Sequence, residues 1–378
     1  MNSDRRLEDL WLNRRTFFLT GVDIEKPALL LRRYTLSTDY SIKGQVFTLA
    51  LAHLVIDLAS AYHVTSCAQN TSQVLGIMVL YNFIAFALQM PFGLIIDNSG
   101  SSLLCAVGGC LLVAASLGLS AIPLLAVIIT GLGNNIFHLG AGVRIMRLGE
   151  NKGILGLFIA PGAWGVYGGT YLSRNGFRLS VHIILALLII AGFLLRYNQL
   201  SSQMFPVSRQ EKYNDNFSHT SLVTICIICL VVVLRSFVSM SLDSPFSGLK
   251  WWGPAQVTAV VAGKLSGGIL ADRLDIRRTI ILSMLTATLL FWFPHQSLLW
   301  LTAVFCFNMT MPLTLWLITR ELSWSKGFAF GLLSLALFLG YLPVQLGWRS
   351  IIPVSLLLSG LSLLSLLLLC YSLQGDET

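Results

Sequence analysis

The sequence has few charged residues. Asp, Glu, Lys and Arg together make up 11% of it, whereas 55% of the residues are hydrophobic. An ordinary soluble domain carries about twice that charged share, because its surface faces water. A chain of 378 residues with so little polar surface cannot bury its apolar side chains in one aqueous core. The composition predicts a membrane protein with several spans and excludes intrinsic disorder.

Other absences exclude further classes. Seven cysteines are scattered over the whole chain, which excludes a disulfide-stapled secreted module. No Gly-x-x-x-x-Gly-Lys-Ser/Thr loop occurs, so nothing supports ATP hydrolysis by this chain. The net charge of +8 would suit nucleic acid, but no predicted soluble region is large enough to present a basic face. We attribute the charge to positive membrane flanks and expect no nucleic-acid partner.

Apolar stretches of about 20 residues recur along the chain. As a helix, such a stretch crosses a hydrocarbon core of about 30 Å. The predicted spans are 46–65, 74–96, 102–120, 122–143, 153–172, 179–198, 220–242, 254–272, 277–294, 297–318, 327–345 and 350–372. The predicted fold class is therefore an all-α membrane protein with 12 transmembrane helices.

An internal repeat relates the two halves of the chain. Gly93 and Asp97 close the second span, and Gly268 and Asp272 close the eighth span 175 residues later. Duplicated halves are typical of transporters. The repeat predicts the following organisation: an N-terminal segment 1–45, a six-helix bundle 46–198, a linker 199–219, a second six-helix bundle 220–372 and a tail 373–378.

Basic residues are distributed unequally between the two membrane sides. Given these spans, 19 of the 25 Lys and Arg residues fall on the side of the N-terminus and four on the other, while Arg235 and Lys264 lie within spans. The positive-inside rule then predicts that both termini are cytoplasmic. The first 45 residues lack the apolar core of a secretory signal, so we expect them to be retained.

The repeated units resemble the loop motif Gly-x-x-x-Asp-Arg-x-Gly-Arg-Arg of the major facilitator superfamily. A glycine there lets two helices approach closely, and the aspartate can pair with a helix N-terminus or an arginine of the neighbouring half. The first copy lacks the basic residues, and the second has Asp275 where glycine is usual. The resemblance implies a gating motif made by Gly93, Asp97, Gly268, Asp272, Arg273 and Arg277.

Within that superfamily, the chain is most similar to fosmidomycin-resistance-type exporters. Three segments carry the likeness: His53-Leu-Val-Ile-Asp57, Gly131-Leu-Gly-Asn-Asn-Ile-Phe-His138 and Leu234-Arg235-Ser236-Phe237. A Pro-Glu pair usually follows the span-four histidine, whereas Leu139 and Gly140 follow it here. The resemblance implies two pseudo-symmetric bundles, proton-coupled efflux of a small molecule by antiport and a bacterial inner-membrane location. We expect a monomer without cofactors that is not an enzyme.

Asp57 is the only acidic residue well inside a predicted span. His53 lies one helical turn before it, so the two side chains can share a proton or a hydrogen bond. One interpretation makes Asp57 and His53 the proton-coupling group. The alternative is a buried ion pair between Asp57 and Arg235 that holds the first span against the seventh.

Arg235 and Lys264 are the two cations within spans, and they outnumber the single acid. An anionic substrate would suit that balance, since a guanidinium offers a planar fork to a carboxylate or phosphonate. The alternatives are neutralisation of Arg235 by Asp57 or by helix carbonyls, and snorkelling of Lys264 toward the nearer membrane surface.

Four further residues are candidates for substrate binding: Asn134, His138, Trp164 and Tyr167. Polar groups at membrane depth must face protein or water, so interhelical hydrogen bonding is the alternative for Asn134 and His138, and packing is the alternative for the two aromatic residues. Nothing in the spacing requires His53, Asp57 and His138 to converge, so we predict no metal site. Three other functions stay open: a transport-inactive sensor or scaffold, an uptake system and a membrane-embedded enzyme.

Overall fold

The computed structural model describes residues 25–69, 73–98, 101–149, 151–204, 219–242, 246, 248–348 and 352–374, and within them it is helical without any β-strand. The described residues from Gln45 onward pack as one unit. The predicted N-terminal segment 1–45, linker 199–219 and tail 373–378 lie in large part outside the described residues. The division of the chain into those domains stays a prediction.

Helices occur at every predicted span. Their bounds are α1 Glu25–Gln69, α2 Val74–Asn98, α3 Ser102–Ser116, α4 Pro123–Leu148, α5 Lys152–Arg174, α6 Ser180–Met204, α7 His219–Met240, α8 Trp252–Leu274, α9 Ile276–Leu290, α10 Ser297–Glu321, α11 Lys326–Gln345 and α12 Val354–Ser372. Among the described residues, all of these except α5, α8 and α9 are long and apolar enough to cross a membrane. The multi-pass membrane fold agrees with the sequence, and the count of 12 spans stays a prediction.

Two helices are interrupted midway. Residues Phe83–Ala87 of α2 form a π-helical turn, and α10 breaks at Met309 between two shorter helices. Pro312 explains the second break, because proline has no N–H to donate to the carbonyl of Asn308, four residues earlier. Such interruptions free backbone groups and are frequent at functional sites.

Among the helix pairs that connect the halves, α2 packs against α11 and α5 packs against α8. Glycines allow the close approach of these helices. A Cβ on Gly327 would lie 2.5 Å from the carbonyl oxygen of Gly93, and one on Gly156 would lie 2.6 Å from the carbonyl oxygen of Lys264. The halves are therefore in backbone contact along both pairs.

Candidate functional site

The carboxylate of Asp97, at the end of α2, binds the N-terminus of α11 in the other half. It accepts hydrogen bonds from the backbone N–H groups of Gly327 at 2.8 and 3.0 Å and of Phe328 at 3.1 Å, and from the Ser325 hydroxyl at 2.5 Å. The first N–H groups of a helix have no partner within it, and the helix dipole is positive there. The carboxylate supplies both the missing acceptors and the complementary charge.

Asp272, at the end of α8, makes the symmetry-related contact with α5. It accepts from the backbone N–H groups of Lys152 at 3.1 Å and Gly153 at 2.8 Å, and it lies 3.6 Å from the Lys152 ammonium. Gly268 has no side chain, and a Cβ at this position would overlap the Lys152 carbonyl. Each half thus caps a helix of the other half, and we call these two caps the latch.

The contacts of the latch are made largely with backbone N–H groups. Asp97 accepts from two such groups and from the Ser325 hydroxyl, and Arg147 lies 4.0 Å away. Asp275 adopts φ 90°, a conformation typical of glycine, and its side chain caps α9 by accepting from the Arg277 N–H at 3.2 Å. Asp275 therefore has a local role in place of the usual glycine.

His53, Asp57 and His138 converge between α1 and α4. The Nε2 atoms of His53 and His138 lie 3.2 and 3.5 Å from the Asp57 carboxylate oxygens and 2.9 Å from each other. The Asn134 amide donates to the same carboxylate at 3.1 Å, and His53 Nδ1 lies 2.7 Å from the carbonyl oxygen of Phe158 on α5. All of these groups belong to the N-terminal half, and we call His53, Asp57 and His138 the triad.

The glycines of α5 bring that helix onto the triad. A Cβ on Gly162 would lie 2.5 Å from the Asp57 carboxylate, and Cβ atoms on Gly165 and Gly169 would overlap backbone carbonyls of α1. A helix lacking side chains on one face can approach its neighbour closely. These three glycines therefore let α5 place the Phe158 carbonyl against His53. Because residue 162 is a glycine, no side chain at that position covers the triad.

A cavity of about 470 Å³ lies on the C-terminal half and is bounded by α5, α7, α8, α10 and α11. Its polar lining consists of Tyr167, Arg235, Ser236, Ser239, Gln256, Lys264 and Asn308. The lining also includes Leu242, just beyond α7, and Gly253, at the start of α8, which lie at the end opposite the latch. The volume is typical of a site for a small organic ligand.

The predicted alternative of an Asp57–Arg235 ion pair is wrong. Asp57 pairs with the two histidines, while the buried Arg235 guanidinium donates to the Thr310 hydroxyl at 3.5 Å. Among the described residues, no carboxylate lies within 4 Å of Arg235 or Lys264. Lys264, which lines the cavity, is close enough to interact electrostatically with both Arg235 and Asp57.

The candidate substrate residues divide into two groups. Tyr167, Arg235 and Lys264 line the cavity. Asn134 and His138 do not, and they hydrogen-bond across to α1, as the interhelical alternative states. Trp164 is half-buried and packs edge-on against Tyr167 at 5.9 Å between ring centroids. Substrate roles for these residues stay predictions.

Sequence reasoning missed the partners of the two latch aspartates. The partners are the N-termini of two helices that begin with the same dipeptide. Lys152-Gly153 starts α5, and Lys326-Gly327 starts α11, 174 residues later. This spacing nearly equals that of the Gly-x-x-x-Asp units. The repeated Lys-Gly pair was the signal that could have identified the helix N-termini opposite the aspartates.

The convergence of the triad was also missed. The predicted absence of a metal site rested on a spacing that does not require convergence, yet the candidate ligand atoms of the triad lie within 4.8 Å of one another. Residues on separate helices meet through packing, which sequence spacing does not reveal.

No family model matches the chain, and no curated protein matches it in sequence. Solved structures do match its fold. One is a variant of the Escherichia coli fucose:proton symporter FucP, with TM-score 0.59, 13% identity and coverage of 88% of this chain and 99% of that one. A second structure shows FucP, a major facilitator superfamily transporter, in the outward conformation. It matches with TM-score 0.55 at 15% identity and covers 86% of this chain and 99% of that one.

A bacterial homologue of the iron transporter ferroportin, in an outward-facing state with soaked iron, gives TM-score 0.61 at 13% identity, covering 86% of this chain and 98% of that one. At these identities the likeness concerns the fold. The chain is an integral membrane protein with the fold of major facilitator superfamily transporters.

Proposed function

We propose that this protein is a secondary transporter, and not an enzyme, that moves a small organic anion across the membrane by alternating access. The observation that carries the proposal is a cavity with two cations, Arg235 and Lys264, for which the described residues provide no carboxylate partner within 4 Å. An unpaired charge inside a membrane protein is costly. A bound anion would relieve that cost, and a guanidinium can hold a carboxylate or phosphonate through two parallel hydrogen bonds.

The arrangement of the latch and the cavity supports alternating access. The latch closes one end of the contact between the halves, and the cavity lining reaches the opposite end. With both termini cytoplasmic, as the distribution of basic residues predicts, the structure would correspond to an outward-facing state. Opening the latch while closing the other end would then expose the same cavity to the cytoplasm.

We further propose proton coupling through Asp57 and His53, with efflux by antiport as the direction. Lys264 of α8 is close enough to Asp57 of α1 for the two charges to interact. Protonation of the carboxylate would remove the negative charge that faces Lys264. A ligand shifts a conformational equilibrium only by its differential affinity for the two states, and this change of charge supplies such a difference.

Flux in proteoliposomes with an imposed pH gradient tests the proposal. The probes are radiolabelled mono- and dicarboxylates and phosphonates, with neutral sugars of similar size for comparison, and gradients of both signs separate antiport from symport. We expect gradient-driven flux of at least one anion in the wild type, loss of that flux in Asp57→Asn, and selective loss of anion affinity in Arg235→Ala.

Four results would contradict the proposal. Equal loss of anionic and neutral substrates in Arg235→Ala would indicate a structural arginine. Full flux in Asp57→Asn would remove Asp57 from coupling. Chemical conversion of a probe without dependence on a gradient would favour an enzyme, and absence of flux for every probe would favour a sensor or scaffold.

A further inference from the structure

The two histidines of the triad direct lone pairs at the same point. His53 Nδ1 lies 2.7 Å from the Phe158 carbonyl oxygen, and His138 Nδ1 lies 2.9 Å from the Asn134 carbonyl oxygen. A carbonyl oxygen only accepts hydrogen bonds, so each Nδ1 carries the hydrogen. In a neutral imidazole the other ring nitrogen is then an acceptor. When both imidazoles are neutral, both Nε2 atoms therefore present lone pairs.

These lone pairs face each other and a carboxylate. The Nε2 atoms are 2.9 Å apart, and each lies 3.2 to 3.5 Å from an oxygen of Asp57. Three acceptors at such distances repel one another unless a proton or a metal ion lies among them. The remaining donor at the cluster, the Asn134 amide, serves Asp57 and Ser60.

The separations are those of ligands on one metal ion. Transition metals bind imidazole nitrogen and carboxylate oxygen at about 2.0 to 2.2 Å. Ligands at that distance in octahedral or tetrahedral geometry lie about 2.8 to 3.6 Å apart. The two Nε2 atoms are 2.9 Å apart, His53 Nε2 lies 3.2 Å from Asp57 Oδ2, and His138 Nε2 lies 3.5 Å from Asp57 Oδ1, so each separation falls within this interval. With one ligand atom from each residue, the three atoms lie within 4.8 Å of one another.

The surroundings of the triad are also those of a metal site. A histidine that binds a metal typically donates its other ring N–H to a carbonyl or carboxylate, which fixes the tautomer and the ring orientation. Both histidines do so, through Phe158 and Asn134. The three side chains are only 7 to 12% exposed, and Gly162 keeps a side chain from filling the space beside them.

We propose that His53, Asp57 and His138 bind one divalent transition-metal ion, of the size and ligand preference of Zn²⁺. Two imidazoles and one carboxylate suit such ions, whereas Mg²⁺ and Ca²⁺ prefer oxygen ligands alone. Three protein ligands leave at least one coordination position for water or an anion. All ligands lie on α1 and α4 of one half, so binding depends neither on the latch nor on the transported substrate.

Zn²⁺ binding to the purified full-length protein tests this inference. The protein is kept in detergent with its affinity tag removed, stripped with a chelator and titrated with Zn²⁺ in equilibrium dialysis, with Ca²⁺ in parallel. We expect one Zn²⁺ per chain and no Ca²⁺. The variants Asp57→Asn and His138→Gln should each weaken Zn²⁺ binding by about 100-fold or more, because loss of even an outer partner costs about 10- to 100-fold.

His63→Gln is the matched control. His63 is a buried histidine on the same helix α1, and its replacement should leave Zn²⁺ affinity unchanged. X-ray absorption at the zinc edge of the wild type, which needs no variant, should show two imidazole nitrogens and oxygen without sulfur. Absence of stoichiometric binding by the wild type, sulfur ligands, or wild-type affinity in His138→Gln would overturn the inference. None of these readouts depends on transport activity.

Discussion

Replacing Asp97 by asparagine should open the latch. The side chain keeps its size but loses its charge, so three donors, the N–H groups of Gly327 and Phe328 and the Ser325 hydroxyl, face a neutral group. A hydrogen bond to a charged partner contributes about 1 kcal/mol more than a neutral one. Over three donors the latched state loses about 3 kcal/mol relative to the open state, which is about a 100-fold shift in their ratio.

Distances between spin labels measure that shift. Gly149 and Ser323 are exposed residues at the latch end, one in each half, and pulsed electron paramagnetic resonance reports the distribution of distances between labels attached there. The wild type should show mainly the short distance of the latched state. Asp97→Asn should transfer population to a longer distance, or broaden the distribution toward it.

Asp275→Asn provides the control for this measurement. It makes the same chemical change at the same end of the molecule, but Asp275 caps α9 within its own half, so the distance distribution should stay as in the wild type. An unchanged distribution in Asp97→Asn would refute the reasoning that its charge holds the two halves together. A shift of equal size in Asp275→Asn would show that the effect is not specific to contacts between the halves.

Three further substitutions test the geometry. Asp272→Asn weakens bonds to two donors instead of three and also removes the ion pair with Lys152, which contributes about 0 to 1 kcal/mol, so its shift in the same distance measurement should be about 30- to 100-fold, and a larger shift than in Asp97→Asn would contradict this reasoning. Gly93→Val places a side chain where even a Cβ overlaps backbone of α11, so the short distance should disappear, and its persistence would contradict the close contact. Gly165→Val disturbs packing of α1 on α5 within one half, so we expect a lower unfolding temperature in detergent by differential scanning fluorimetry and an unchanged distance distribution.

The sequence predicted the features that depend on local pattern. Apolar runs located every helix, because a helix in a bilayer must satisfy its own backbone and face lipid over about 20 residues. The repeated Gly-x-x-x-Asp units located the latch, because close helix approach needs glycine and a helix N-terminus attracts a carboxylate. Toward the latch, α4 extends beyond its predicted end at residue 143 to Leu148, and α11 begins one residue before its predicted start, at Lys326.

The partners of the buried charges could not be predicted in this way. Pairing of Asp57 with Arg235 was one predicted alternative, whereas the carboxylate lies beside His53 and His138; proton coupling through Asp57 and His53 stays a prediction. The spacing of four residues within α1 identified His53 as the first neighbour of Asp57. The second neighbour, 81 positions away in the sequence, depends on how α1 and α4 pack.

By itself, the sequence determined a membrane-embedded, all-helical chain with two related halves, since composition, span length and repeat are properties of the chain read in order. Only the tertiary structure decided that the triad meets within one half, that Arg235 and Lys264 line a cavity apart from Asp57, and that the latch aspartates bind backbone N–H groups. Those outcomes depend on the distances between helices that are remote in the chain. The packing of glycine faces sets these distances, and one-dimensional patterns do not encode them.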